Sequence, residues 1–270
     1  MSGKALFFAS DLHAGAPSRA HSAERERLFV RWLEISAAEA QAFYLLGDIW
    51  DFWFEYRHAV PKGYVRLLGA LAALTDAGIP VFFQSGNHDG WLTGYLEEEV
   101  GLLRLSDPYW LEWRGLKLYL SHGHWRGPIP FWDRLTYALM ENRFLTFLYR
   151  WLHPDVGLPL GRLFSARSRQ AHLPLDDIDL GPKERLRQFV QRQQQGLQPA
   201  DWYIFAHRHL LLAERIGRSQ LIVLGDWIRR YSFLRLDDLG WGLFQFLPSG
   251  ERVPQIAQLW ADVPALAPKV

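Results

Sequence analysis

Short apolar runs that stop abruptly at polar or turn residues recur along this chain, and they restrict it to folds built on a sheet. Runs over residues 4–10, 42–47, 79–85, 116–121, 202–206, 221–224, 232–236 and 241–247 have strand length, and several are rich in Val, Ile, Phe and Tyr. Stretches over 23–40, 64–77 and 183–195 lie between them with helical spacing. Early strand–helix alternation with strands alone near the end predicts an α/β sandwich, not a helical bundle. At 270 residues the chain can bury a sizeable core, as one large domain or two small ones.

Composition narrows the class. Lys+Arg 30 against Asp+Glu 29 leaves a formal charge of +1, which argues against a nucleic-acid partner. There is no cysteine, so disulfides and thiolate metal sites are excluded. No segment reaches the roughly 18 uninterrupted apolar residues of a membrane span. The apolar start at 5–9 meets Asp11 too soon for a signal peptide and reads as a strand of an unexported protein.

One interval stands apart. Residues 125–169 hold nine aromatics, among them Trp132, Phe144, Phe147 and Trp151. Seven arginines face three acidic residues there, a local excess of +4 that leaves −3 for the rest of the chain. Pro128, Pro130, Pro154 and Pro159 predict short helices, with a break just before Pro154. The interval reads as an inserted cap rather than as part of a sheet.

The residues that chemistry needs follow the ends of five strands. These are Asp11-Leu12-His13, Gly47-Asp48-Ile49-Trp50-Asp51, Gly86-Asn87-His88-Asp89, His122-Gly123-His124 and His207-Arg208-His209. Six of the ten histidines fall in these patches. In open α/β sheets, ligands bind at the carboxyl ends of strands. Each patch alone has a plain structural reading as a turn, a helix cap or a hydrogen-bonded histidine. Five in order at strand ends do not.

In this order the patches resemble the motif series of the calcineurin-like metallophosphoesterases, D-x-H, G-D-x-x-D, G-N-H-D/E, H and G-H-x-H, with Ala206 standing where the series has Gly. The resemblance implies a four-layer α-β-β-α sandwich, a single domain over 1–270 with a helical cap inserted at about 125–198. It implies one metal held by Asp11, His13, Asp48 and His209, and a second held by Asp48, Asn87, His122 and His207. Asp48 would bridge the two. Carboxylate and imidazole donors suit Mn²⁺ first, with Fe²⁺ or Zn²⁺ as alternatives. The implied reaction is in-line attack of a metal-bridging hydroxide on phosphorus. His88 would stabilise the charge on phosphorus or protonate the leaving group, with Asp51 orienting it.

Residues 48–56, 9–17 and 224–228 resemble, more narrowly, the UDP-2,3-diacylglucosamine hydrolase branch. One departure is His122-Gly123-His124 where the branch has His-Gly-Asp. The branch implies cleavage of a UDP-linked diacyl glycolipid to UMP and 2,3-diacylglucosamine 1-phosphate in lipid A synthesis. Its enzymes are cytoplasmic and peripheral to the inner face of the inner membrane, so the cap is expected to meet the membrane surface. Arg167, Ser168 and Arg169 resemble the cap segment that meets the headgroup. His124 is a substrate contact, a support for a ligand or a surface residue. Apolar residues on more than one helical face of the cap fit acyl chains, with a second small core as the alternative. Two other readings stay open: a metallophosphodiesterase for another nucleotide or phospholipid-like substrate, and a non-catalytic scaffold. Scaffolds of this fold are expected to lose ligands or His88, and none is missing here.

Overall fold

The computed structural model describes residues 4–172, 178–196 and 199–259. Its first strand, β1 (Ala5–Ala9), is buried throughout, and its two-residue period divides it between two cores. Ala5, Phe7 and Ala9 enter one; Leu6 and Phe8 enter the other. A strand covered on both faces reads as a continuous apolar run, as this one does.

β1 pairs in parallel with β2 (Ala40–Leu46), which continues into β3 (Val81–Gln84) and β4 (Leu103–Leu105). On its other side it pairs antiparallel with β10 (Ser232–Leu236), followed by β11 (Gly240–Phe246) and β12 (Arg252–Leu259). The resulting sheet has seven strands, ordered β12-β11-β10-β1-β2-β3-β4. A second sheet holds β5 (Tyr109–Trp113), β6 (Leu116–Ser121), β7 (Trp202–Phe205), β8 (Leu211–Ile216) and β9 (Ser219–Leu224) in the order β5-β6-β7-β9-β8.

Three cores separate four layers. Helices α1 (Arg19–Ala37) and α2 (Val65–Asp76) cover the first sheet through Phe29, Trp32, Leu33, Leu67 and Leu71. Leu6, Phe8, Tyr44, Leu118, Trp202, Ile204 and Ile222 fill the space between the sheets. Leu186 and Val190 of α7 (Arg185–Gln193) cover the second sheet over Tyr119, Tyr203 and Phe205. The order of layers is therefore α-β-β-α, as expected. A short α3 (Tyr95–Glu98) follows β3.

Between β6 and β7 lie α4 (Phe131–Met140), α5 (Arg143–Arg150) and α6 (Pro154–His172). Residues 173–177 and 197–198 of the expected cap interval lie outside the described residues. The break before Pro154 is present, but α6 is not short: it runs 19 residues with Pro159 inside it. Pro154 occupies the first helical position, where a missing N–H costs nothing, and Pro159 follows little more than a turn later. The helix is then held by docking, with Leu158 against Phe52, Phe54 and Tyr56. The aromatics of this interval enter a second small core only in part. Tyr137 is buried and half-buried Tyr149 packs with Phe52, Phe54 and Tyr56, while Trp132, Phe144, Phe147 and Trp151 are exposed.

Candidate metal centre

The loops after β1, β2, β3, β6 and β7 meet at one edge of the two sheets and bring the predicted donors together. The turn after β1 is tied to the turn after β2 by backbone bonds from Asp11, His13 and Ala14 to Gly47, Asp48 and Ile49. The Arg25 guanidinium, from α1, donates to the carbonyls of Leu12, His13 and Ala16 and holds this turn from behind. Asp89 does the same for the next two turns. Its buried carboxylate accepts from the backbone N–H groups of Asp48, Ile49, Trp50 and Gly86. Burial, and then the charge on Asp48, push Asp89 up to about 7.

Among the described residues three donor groups result, and two of them together hold six of the seven predicted ligands. Asp11, His13 and His209 offer ligand atoms within 4.8 Å of one another, and so do Asp48, His122 and His207. Asp48 lies between the groups: its Oδ2 is 3.3 Å from His122 Nε2 and 3.7 Å from His13 Nε2. His209 Nε2 is 3.4 Å from Asp11 Oδ1, and Asn87 Oδ1 is 3.1 Å from His122 Nε2. All seven predicted ligands thus share one cluster, buried except for half-buried Asn87 and His207. Five of them, Asp11, His13, Asp48, His207 and His209, have positive φ between 44° and 67°. Ala206, in place of the expected Gly, is absent from the positive-φ residues, so its Cβ adds no strain.

The electrostatics suit a divalent cation. Asp11 Oδ1 and both ring nitrogens of His13 are buried without a hydrogen-bond partner among the described residues. Such atoms are costly unless something satisfies them. Burial holds the rings of His13 and His207 well below the usual imidazole range, so both present lone pairs. Neutral imidazole is the form that ligates metal. Burial also opposes charge on His122, but the Asp48 carboxylate outweighs it and pushes this ring up to about 10. His122 Nδ1 donates to the Leu46 carbonyl at 2.8 Å, and Nε2 faces two oxygens. A positive charge is therefore favoured at Nε2, and a metal ion would supply it. Oxygen and nitrogen donors alone match divalent transition metals.

His88 sits beside this cluster with its ring 4.8 Å from that of His13. Its Nδ1 donates to the Asp51 carbonyl at 3.0 Å and to Ser165 Oγ at 2.9 Å. The Asp51 carboxylate lies within 4.8 Å of the His88 and His13 rings, 3.5 Å from His13 Nδ1, and is paired with Arg169. Ser165 was not picked out by the sequence, although it lies four residues before Arg169 on one face of α6. Its hydroxyl donates to the Asp51 carbonyl and accepts from Arg169. Ser168 is half-buried, whereas Arg167 is exposed, about 200° around the helix from both Ser165 and Arg169.

His124 is buried, with Nε2 3.3 Å from Glu141 Oε1, and burial pulls its ring below the usual range. It lines a cleft of 790 Å³ that opens from Asn87. Arg104, Arg143 and Arg150, none of them singled out beforehand as contacts, line this cleft with Trp91 and Phe147.

A family model described as calcineurin-like phosphoesterase matches residues 5–211, a span that includes every donor in the cluster. The chain belongs to that family. This phosphoesterase is a metal-dependent hydrolase of phosphoric esters or anhydrides. It is 36% identical over 242 residues to a UDP-2,3-diacylglucosamine hydrolase of Porphyromonas gingivalis, covering 84% of this chain and 92% of that protein. A hydrolase of the same name from Stenotrophomonas maltophilia is 30% identical over 249 residues, covering 87% of this chain and 96% of the relative. The likeness seen around Asp11 and Asp48 thus extends over most of the molecule.

Proposed function

We propose that this phosphoesterase cleaves the pyrophosphate bond of UDP-2,3-diacylglucosamine, releasing UMP and 2,3-diacylglucosamine 1-phosphate for lipid A synthesis. The observation that carries the reading is the meeting of two unlike surfaces. A buried donor cluster opens onto an arginine-bearing cleft, and the helices bordering that cleft expose Phe131, Trp132, Phe144, Phe147 and Trp151. A substrate with a diphosphate at one end and acyl chains at the other needs both.

Asp11, His13, Asp48 and His209 would hold one divalent ion, and Asp48, Asn87, His122 and His207 the other. Mn²⁺ is the first choice, with Fe²⁺ or Zn²⁺ as alternatives. Such a pair supplies Lewis acidity toward a phosphoryl oxygen and lowers the pKa of water. The chain's own residues do the rest. Asp48 keeps its carboxylate charged because the cationic His122 ring beside it outweighs the effect of its burial. His88 keeps a proton on Nδ1 through its two acceptors and turns Nε2 to the reacting phosphate. Arg104, Arg143 and Arg150 balance diphosphate charge in the cleft, beside His124. Arg169 and Ser168 border the reacting end, and Arg167 beside them is exposed, free to meet a headgroup from solvent.

No helix among the described residues is long and apolar enough to cross a membrane. The exposed aromatics of α4 and α5, with Arg134 and Arg143 among them, suit peripheral contact with the inner face of the inner membrane. UMP release from UDP-2,3-diacylglucosamine by Mn²⁺-loaded protein tests the reading beside UDP-N-acetylglucosamine and a nitrophenyl phosphodiester. Turnover of the acylated substrate, abolished by chelator and restored by Mn²⁺, is expected. Turnover of the small diester with none of the lipid would replace this substrate by another nucleotide ester.

A further inference from the structure

The turn carrying His207 and His209 is held by an ion pair outside the donor groups. Arg208, the residue between them, is buried, and its Nε and Nη2 donate to Glu184 Oε1 and Oε2 at 3.0 and 3.1 Å. Glu184 has no exposed surface and is the N-cap residue of α7. Arg208 Nη2 also donates to the Ile178 carbonyl at 3.3 Å, and its backbone N–H donates to the Ala206 carbonyl at 2.8 Å.

The histidines flanking Arg208 have φ of 67° and 48°. A residue with a Cβ adopts such angles only where its surroundings over-determine them. Glu184 can provide that restraint because its own helix is anchored. Arg187 on α7 donates to Glu214 on β8 at 2.6 and 2.7 Å and pairs with Asp179. A buried ion pair is a weak device for stability, since desolvation offsets its attraction. Its strength is geometric: a two-pronged guanidinium–carboxylate contact sets both position and angle.

We propose that Glu184 and Arg208 are a positioning pair for the metal centre, locking the turn so that His207 meets the Asp48 group while His209 meets the Asp11 group. The proposal rests on the dimetal reading above. One histidine serves each group, so loosening the turn weakens both metals together.

Mn²⁺ binding to the full chain, followed by the electron paramagnetic resonance signal of free Mn²⁺, tests this. The unaltered protein is expected to bind two ions. Glu184→Gln and Arg208→Lys should each weaken both binding steps by about 10–100-fold, the usual effect of losing a support behind a metal ligand. Circular dichroism of the metal-free variants should remain that of the parent. The double variant Glu184→Met/Arg208→Met removes both charges at once, which keeps the fold even where a single change does not, and it too should weaken both steps. Unchanged Mn²⁺ affinities in any folded variant, or weakening of one step alone, would overturn the proposal. Failure of the unaltered protein to bind two ions would instead overturn the dimetal reading.

Discussion

Asp11, His13, Asp48, His207 and His209 each occupy left-handed backbone angles that cost about 1–3 kcal/mol for a residue with a Cβ. The strain clusters where the donor side chains converge, and buried polar groups hold it in place: Arg25 behind Leu12 and His13, Asp89 behind Asp48. Gly47 is one of the tight points in this frame. It has φ +85, and a Cβ there would lie 2.6 Å from Gly86 N and 2.7 Å from His122 Nδ1. Gly47→Ala should therefore lower the stability of the metal-free protein by at least about 1–3 kcal/mol in urea unfolding. A loss below about 0.5 kcal/mol, typical of neutral surface changes, would show that the turn relaxes freely.

At the scale of elements, α6 is the part that reaches the chemistry from outside the sheets. It lies close because Gly161 lets it pack on Phe52, whose ring occupies the space a Cβ would take. That approach brings Ser165 to His88 across 77 residues of sequence. Gly161→Val should lift α6 away while leaving the three principal cores intact. The expected result is a fall in kcat with Mn²⁺ affinity unchanged, because no ligand sits on this helix. Activity equal to that of the parent would mean that α6 has no part in holding His88.

For the whole molecule, the main apolar surfaces are buried between layers, yet Trp132, Phe144 and Trp151 remain 73%, 66% and 78% exposed. Contiguous exposed apolar surface marks a binding face. Changing these three residues to Ser should leave the melting temperature unchanged, since no core residue is touched. Each aromatic buried against lipid contributes about 1.5–3 kcal/mol, and about 1.4 kcal/mol is a tenfold rate. Turnover of the acylated substrate and sedimentation with anionic liposomes should thus fall at least about tenfold. Hydrolysis of a small soluble ester should not change. An equal loss on both substrates would place these residues in the fold rather than on a lipid-facing surface.

The interior strands and the seven clustered donors were legible in the sequence for one physical reason: their environments dictate residue type. A strand covered on both faces must be apolar, and a metal-binding turn must carry carboxylates and imidazoles. The four strands missed, β4, β5, β8 and β12, are the four sheet edges. Edges meet water on one side, so Arg104, Glu112, Glu214, Arg215 and Gln255 interrupt their apolar pattern. Their pairing is decided by the neighbouring strand, not by their own residues. Helix phase likewise separated Arg169, which meets Asp51, from Arg167, which faces away. Ser165, Glu184 and the arginines of the cleft carry no motif. Only the tertiary structure placed them, because each acts on a residue far from it in the chain.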